Sequence, residues 1–143
     1  MQWPIKSRPS VATDMILVDS SVFIALADRK DQWHTQAKKL TDILSHEPII
    51  ISDLIIAEVL TVIGKRSGGK AGERLYHYFI DNCRIISADE KILQESVPVY
   101  VHYDGALSLS DAVSVCIMKR NNIKKILSFD SDFDKIEGIV RIH

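Results

Sequence analysis

The chain has 143 residues, 46% of them hydrophobic and 26% charged, a length and balance that fit one globular domain and exclude whole-chain disorder and fibrous repeats. Its 18 basic and 19 acidic residues give a formal net charge of −1, which excludes a protein held to nucleic acid by bulk charge while leaving room for a local basic face. The two cysteines, Cys83 and Cys116, sit in apolar surroundings without C-x-x-C spacing. They read as reduced core thiols, not as a disulfide framework.

Residues 1–14 read as an N-terminal extension and 15–143 as a single domain. Trp3, Pro4 and Pro9 stand there without an apolar run, so no signal peptide is expected. Met15-Ile16-Leu17-Val18 is a short apolar segment ending at Asp19, which predicts a buried strand. Ser20 or Ser21 is placed to cap the helix that follows through Phe23 and Leu26. A second helix is predicted over residues 31–45, where Ala37, Leu40 and Leu44 fall at helical spacing.

Pro48 opens a second buried strand, Ile49-Ile50-Ile51, and Ser52 caps a helix carrying Ile55, Val59 and Ile63. Gly64 and the Gly68-Gly69 pair are expected to end it. Residues 49–63 are the most apolar stretch, but Asp53 and Glu58 make it too acidic, and its length too short, to span a bilayer. A soluble cytoplasmic domain with no membrane partner is expected.

A helix over residues 69–82 packs through Leu75, Tyr76 and Phe79, and Cys83-Arg84-Ile85-Ile86 forms a third strand. Ser87-Ala88-Asp89-Glu90 has a capping-box pattern and starts a helix that Pro98 should interrupt or kink. Ser108 or Ser110 caps a helix over 111–120, which Asn121-Asn122 ends. Residues 125–129 and 138–142 supply the fourth and fifth strands. Short apolar strands alternating with helices predict an α/β fold, a mostly parallel sheet covered on both faces.

Four acids fall where such a fold collects ligands, outside the carboxyl ends of the strands. Asp19 follows the first strand, Asp130 the fourth, and Asp111 opens a helix. Glu58 lies inside an apolar helix between Ala57 and Val59, where an unpaired charge would cost several kcal/mol. Singly, Asp19 serves as a turn or cap, Asp111 complements a helix N-terminus, and Asp130 forms a turn. Together they repel and raise one another's pKa, unless a hard divalent cation with a preference for oxygen ligands reverses the sign. Such a site suits phosphodiester chemistry.

Four segments, in order, carry a resemblance: Leu17-Val18-Asp19-Ser20-Ser21-Val22-Phe23, Ile56-Ala57-Glu58-Val59-Leu60, Leu107-Ser108-Leu109-Ser110-Asp111-Ala112 and Leu127-Ser128-Phe129-Asp130-Ser131-Asp132-Phe133. The chain resembles the PIN-domain nucleases, and among them the VapC-type toxins of bacteria and archaea. The resemblance implies a Rossmann-like α/β/α sandwich and a Mg²⁺- or Mn²⁺-dependent endoribonuclease using one or two ions. It places the acidic quartet on Asp19, Glu58, Asp111 and Asp130, with the Ser128 hydroxyl in support. Asp130 ranks first at the fourth position, Asp132 second, and Asp134 is a third candidate. In-line attack by a water, deprotonated with help from one carboxylate, would leave a 5′-phosphate and a 3′-hydroxyl. The implied partners are an RNA substrate, a cognate antitoxin and a second copy of the chain.

Lys65, Arg66 and Lys70 read as a flexible basic loop beyond Glu58, with Arg74 nearby. They would grip an RNA backbone or else complement a helix C-terminus. Lys119, Arg120, Lys124 and Lys125 read as a solvated face. Gly68-Gly69-Lys70 lacks P-loop spacing, and the five histidines lack metal-ligand spacing. Trp33, Tyr76, Tyr78, Phe79, Tyr100 and Tyr103 read as core or interface and not as base-stacking platforms. Two rival readings stand beside the nuclease. One is a catalytically silent PIN-like scaffold that binds RNA or protein; the other is an aspartyl-phosphate domain of the receiver or haloacid-dehalogenase type.

Overall fold

Five short strands form one sheet in a computed structural model that describes residues 3–5 and 15–143: β1 (Ile16–Val18), β2 (Ile49–Ser52), β3 (Cys83–Ile86), β4 (Lys125–Leu127) and β5 (Val140–Ile142). Their order is β3-β2-β1-β4-β5, and every pairing is parallel. Chain order runs outward from β1 in one direction to β3, then resumes on its other side with β4 and β5. The sheet therefore has its switch point between β1 and β4, where a crevice opens at the carboxyl ends. β1 and β2 are buried on both faces, as parallel strands under two helical layers must be.

The connections are α1 (Ser20–Ala27), α2 (His34–Lys38), α3 (Thr41–His46), α4 (Asp53–Ser67), α5 (Gly69–Asn82), α6 (Glu90–His102) and α7 (Leu109–Arg120), with a 3₁₀ turn over Ser131–Lys135. α1, α2, α4 and α5 pack as one group, and α6 packs on α7 as another. Phe23, Ile50, Ile55, Phe79, Leu127 and Phe133 are among the core side chains that the sheet and helices close over. Each large apolar side chain so buried contributes about 1.5–3 kcal/mol. No helix among the described residues is long and apolar enough to cross a membrane, and neither cysteine is in a disulfide.

Local chemistry explains where the elements depart from expectation. The single helix expected over 31–45 is two, because Asp31 turns back to accept from the Trp33 N–H at 2.9 Å and the Thr41 hydroxyl donates to the Lys38 carbonyl at 2.8 Å. Such side-chain bonds to the backbone compete with the helical ladder. α4 runs through Gly64, and the expected basic loop is its last turn, a single Gly68 at φ 88° and the start of α5. α6 continues through Pro98. The carbonyl that loses its partner there belongs to Gln94, and both residues are exposed, so water can serve that carbonyl.

The α6 cap is Asp89, which accepts from the Ile92 N–H at 2.9 Å, rather than Ser87. α7 ends at Asn121 and Asn122, the latter at φ 54°, a left-handed position that Asn tolerates. The expectation that residues 1–14 form an extension lies mostly outside the described residues. Within them, the Trp3 ring packs 5.1 Å from Tyr78 and 6.4 Å from Phe23.

Candidate active site

β1 ends at Val18 and β4 at Leu127, and the two strands are held in step past their ends by the Asp19 N–H donating to the Leu127 carbonyl at 2.9 Å. This brings Asp19 beside Ser128. The Ser128 hydroxyl donates to Asp19 Oδ2 at 2.8 Å, and the Ser21 hydroxyl donates to the same oxygen at 2.9 Å. Asp19 is only 6% exposed. Burial pushes its carboxyl pKa up, the Ser128 and Ser21 hydrogen bonds pull it back, and the nearby Glu58 charge adds to the rise.

Glu58 projects from the middle of α4. Its Oε2 accepts from the Ser20 hydroxyl at 2.8 Å, which gives this carboxylate a partner on an otherwise apolar helix. It opens onto a shallow cleft of about 410 Å³ lined by Ile24, Ala57, Thr61 and Val62. Ser20 and Ser21 were expected to cap α1. The cap position is Asp19 instead, without a side-chain cap bond, and the two hydroxyls orient the carboxylates of Glu58 and Asp19.

Asp111 stands at the third position of α7 and closes a capping box. Its N–H donates to Ser108 Oγ at 3.1 Å, and Ser108 N–H donates to its Oδ2 at 3.4 Å. Burial, and then the Asp19 charge, push its carboxyl up to about 7; Asp130 adds to the rise while the Ser108 bonds oppose it. The ordinary capping role and membership of an acidic group thus coincide in one side chain.

Asp130 caps the 3₁₀ turn, its Oδ1 accepting from the Asp132 N–H at 2.9 Å, while its own N–H donates to Ser128 Oγ at 3.0 Å. The two acids that follow have other partners. Asp132 is paired with Lys135 at 2.9 Å, and Asp134 takes a two-pronged bond from Arg141, Nε at 2.8 Å and Nη2 at 2.9 Å. Arg141, a residue the sequence reading did not single out, also donates from Nη1 to the Ser128 carbonyl at 3.2 Å and feels the Asp130 charge.

Asp19, Glu58, Asp111 and Asp130 therefore share one electrostatic neighbourhood at the switch point. Each rests on a protein donor, and among the described residues no three His, Cys, Asp or Glu side chains are arranged to hold a metal ion. The donor chemistry is oxygen only, partly buried, with burial first and neighbouring carboxylate charge after it raising Asp19 and Asp111. Oxygen donors of this kind are the chemistry that a hard divalent cation prefers.

The basic residues are dispersed. Arg66 is tied to Asp28 at 2.9 Å and to Asp31 at 3.4 Å. Arg74 lines a separate cavity with Trp3, Ala27, Ile63, Ala71 and Leu75. Lys65 and Lys70 are exposed at the α4–α5 joint.

Known proteins resemble this chain in sequence and in fold. The 23S rRNA-specific endonuclease VapC20 of Mycobacterium tuberculosis is 27% identical over 122 residues, 83% of this chain and 92% of that protein. The crystal structure of the same organism's VapC20, described as a sarcin-ricin loop cleaving toxin, superposes with a TM-score of 0.75 at 24% identity, over 83% of this chain and 92% of that one. A toxin–antitoxin complex from Klebsiella pneumoniae gives a TM-score of 0.67 at 22% identity, over 87% and 95% of the two chains. These superpositions establish a shared fold. The PIN domain family model matches residues 16–139, nearly the whole described core, and the chain belongs to the PIN domain family.

Proposed function

We propose that this protein is a divalent-metal-dependent endoribonuclease that hydrolyses RNA phosphodiester bonds and acts as the toxin of a toxin–antitoxin pair. The observation that carries the reading is the meeting of Asp19 with Ser128 at the sheet's switch point, with Glu58, Asp111 and Asp130 in electrostatic reach. Membership of the PIN domain family and similarity to an rRNA endonuclease support it.

Asp19, Glu58, Asp111 and Asp130 would hold Mg²⁺ or Mn²⁺. Asp132 ranks below Asp130, because Lys135 already neutralises it. When bound, such an ion supplies polarisation of the phosphoryl group and charge neutralisation. Ser128 and Ser21 fix the Asp19 carboxylate so that its orientation does not have to be found during the reaction. One carboxylate of the group takes the proton of the attacking water. Lys65 and Lys70 would steady the RNA backbone, with Arg74 contributing; Arg66 has less charge to offer. A cognate antitoxin and a homodimer belong to the same proposal.

The test is cleavage of ribosomal RNA and of fluorogenic single-stranded RNA with Mn²⁺ or Mg²⁺, against an EDTA control and the Asp19→Asn and Glu58→Gln chains. Metal-dependent cleavage lost in both variants is expected. RNA bound but uncut at every metal concentration overturns the reading.

A further inference from the structure

Trp33 is 37% exposed, so part of this large ring is open to a ligand. Its indole lies flat on Phe129, the ring centroids 5.4 Å apart and the planes 9° from parallel. Phe129 stands between Ser128 and Asp130 in the chain, and its N–H donates to Ser21 Oγ at 3.1 Å, the same hydroxyl that donates to Asp19. The ring pair is thus anchored in the hydrogen-bond network that orients Asp19.

Its other side is anchored as well. The Trp33 N–H closes its turn on Asp31, and Asp31 with Asp28 is held by Arg66. His34 Nδ1 lies 2.7 Å from the Ala25 carbonyl oxygen. A ring already fixed in place loses little further freedom when a third ring stacks on it.

We infer that Trp33, backed by Phe129, is a platform on which an unpaired RNA base stacks beside the acidic crevice, an inference that rests on the ribonuclease reading above. Charge argues the same way. An RNA backbone entering this crevice meets four carboxylates, and Arg66 is already paired with Asp28 and Asp31. Stacking needs no charge and accepts any base. A base inside a duplex is stacked on both faces and gains nothing from the platform, so single-stranded loops are favoured over helices.

Fluorescence and kinetics test this together. Trp3 and Trp33 are the two tryptophans, so Trp33 is read alone in a Trp3→Phe chain carrying Asp19→Asn to keep the RNA whole. A single-stranded oligoribonucleotide should quench its emission at concentrations where the same sequence as a duplex does not. In the active chain, Trp33→Leu should raise KM for single-stranded RNA roughly 5- to 100-fold and leave kcat within about twofold. Trp33→Phe should recover most of the KM.

Trp33 emission unmoved by RNA, an unchanged KM in Trp33→Leu, or a KM loss that Trp33→Phe does not recover overturns the inference. An indole reserved for a protein partner would give the first of these results. Should Trp33→Leu fail to fold, the fluorescence result decides. Quenching without cleavage would strike the ribonuclease reading and leave the platform; cleavage with a silent Trp33 would do the reverse.

Discussion

The Ser128 hydroxyl donates to Asp19 Oδ2 across 2.8 Å and 109 positions of chain, both residues buried. The same oxygen of Ser128 accepts the Asp130 N–H, so one hydroxyl serves two of the four acids. Ser128→Ala leaves Asp19 and the Asp130 amide short of a partner at a cost of about 1–3 kcal/mol. It also removes the largest of the three hydrogen bonds that lower the Asp19 pKa. Thermal melts should show the loss, the acid limb of the pH–rate profile should move to higher pH, and Ser128→Thr should restore both.

Asp111 sets a pH dependence whose direction follows from its environment. Its carboxyl holds a proton up to about pH 7 in the folded chain, against an ordinary value of 3.8. Between these values the native state binds more protons than the unfolded one, so this group's contribution is most favourable below pH 4 and declines as pH rises to 7. Asp111→Asn removes the effect and keeps an acceptor for the Ser108 N–H. In EDTA, urea midpoints should show the variant gaining on the parent chain as pH rises from 4 to 8. The gain should reach about 1–2 kcal/mol after allowance for the group's partial exposure.

Metal binding should read out as stability without any turnover. Mn²⁺ at 100 times its dissociation constant raises the stability of the native chain by about 2.7 kcal/mol, and EDTA reverses it. Asp19→Asn keeps both serine donors satisfied, relieves repulsion, and should melt at or above the parent temperature in EDTA while losing the Mn²⁺ response. A large loss of metal-free stability would mark Asp19 as a structural ion-pair member instead.

The two cations at the end of α4 should behave differently. Arg66 is engaged with Asp28 and Asp31, whereas Lys65 is exposed beside it. Lys65→Ala should reduce the salt dependence of RNA binding by a slope of about 0.7–1. Arg66→Ala should change that slope less and lower stability by up to about 1 kcal/mol. Titrations over a range of KCl concentrations, with melts of both variants, separate the two roles.

Whereas the strand order β3-β2-β1-β4-β5 is set by long-range pairing, the strands and the acids at their ends were legible because both depend on local patterns, an apolar run followed by Asp19 or by Ser128-Phe129-Asp130. The donors to those acids were not. Ser20 and Ser21 look like caps from sequence, and only the approach of α4 to α1 gives the Ser20 hydroxyl to Glu58. Arg141 was invisible for a similar reason. A lone arginine in an edge strand gains meaning only when the 3₁₀ turn places Asp134 in front of its guanidinium. Trp33 reads as core or interface from sequence, and its partial exposure and its stacking on Phe129 emerge only from the fold. The helix over 31–45 failed where Asp31 and Thr41 found better bonds off the helix than on it.

The 109-position span between Asp19 and its donor has a consequence for the chain as it is being made. Translation at about 5–20 residues per second delivers Asp19 first and the strand that seats Ser128 several seconds later. A growing polypeptide stalled before β4 would carry Asp19 on a β1 paired with β2 alone, without the Leu127 carbonyl and the Ser128 hydroxyl that seat it. The hydrogen bonds that hold Asp19 and the Asp130 amide on Ser128 therefore form only once β4 lies beside β1, and a chain truncated before β4 lacks both Ser128 and Asp130.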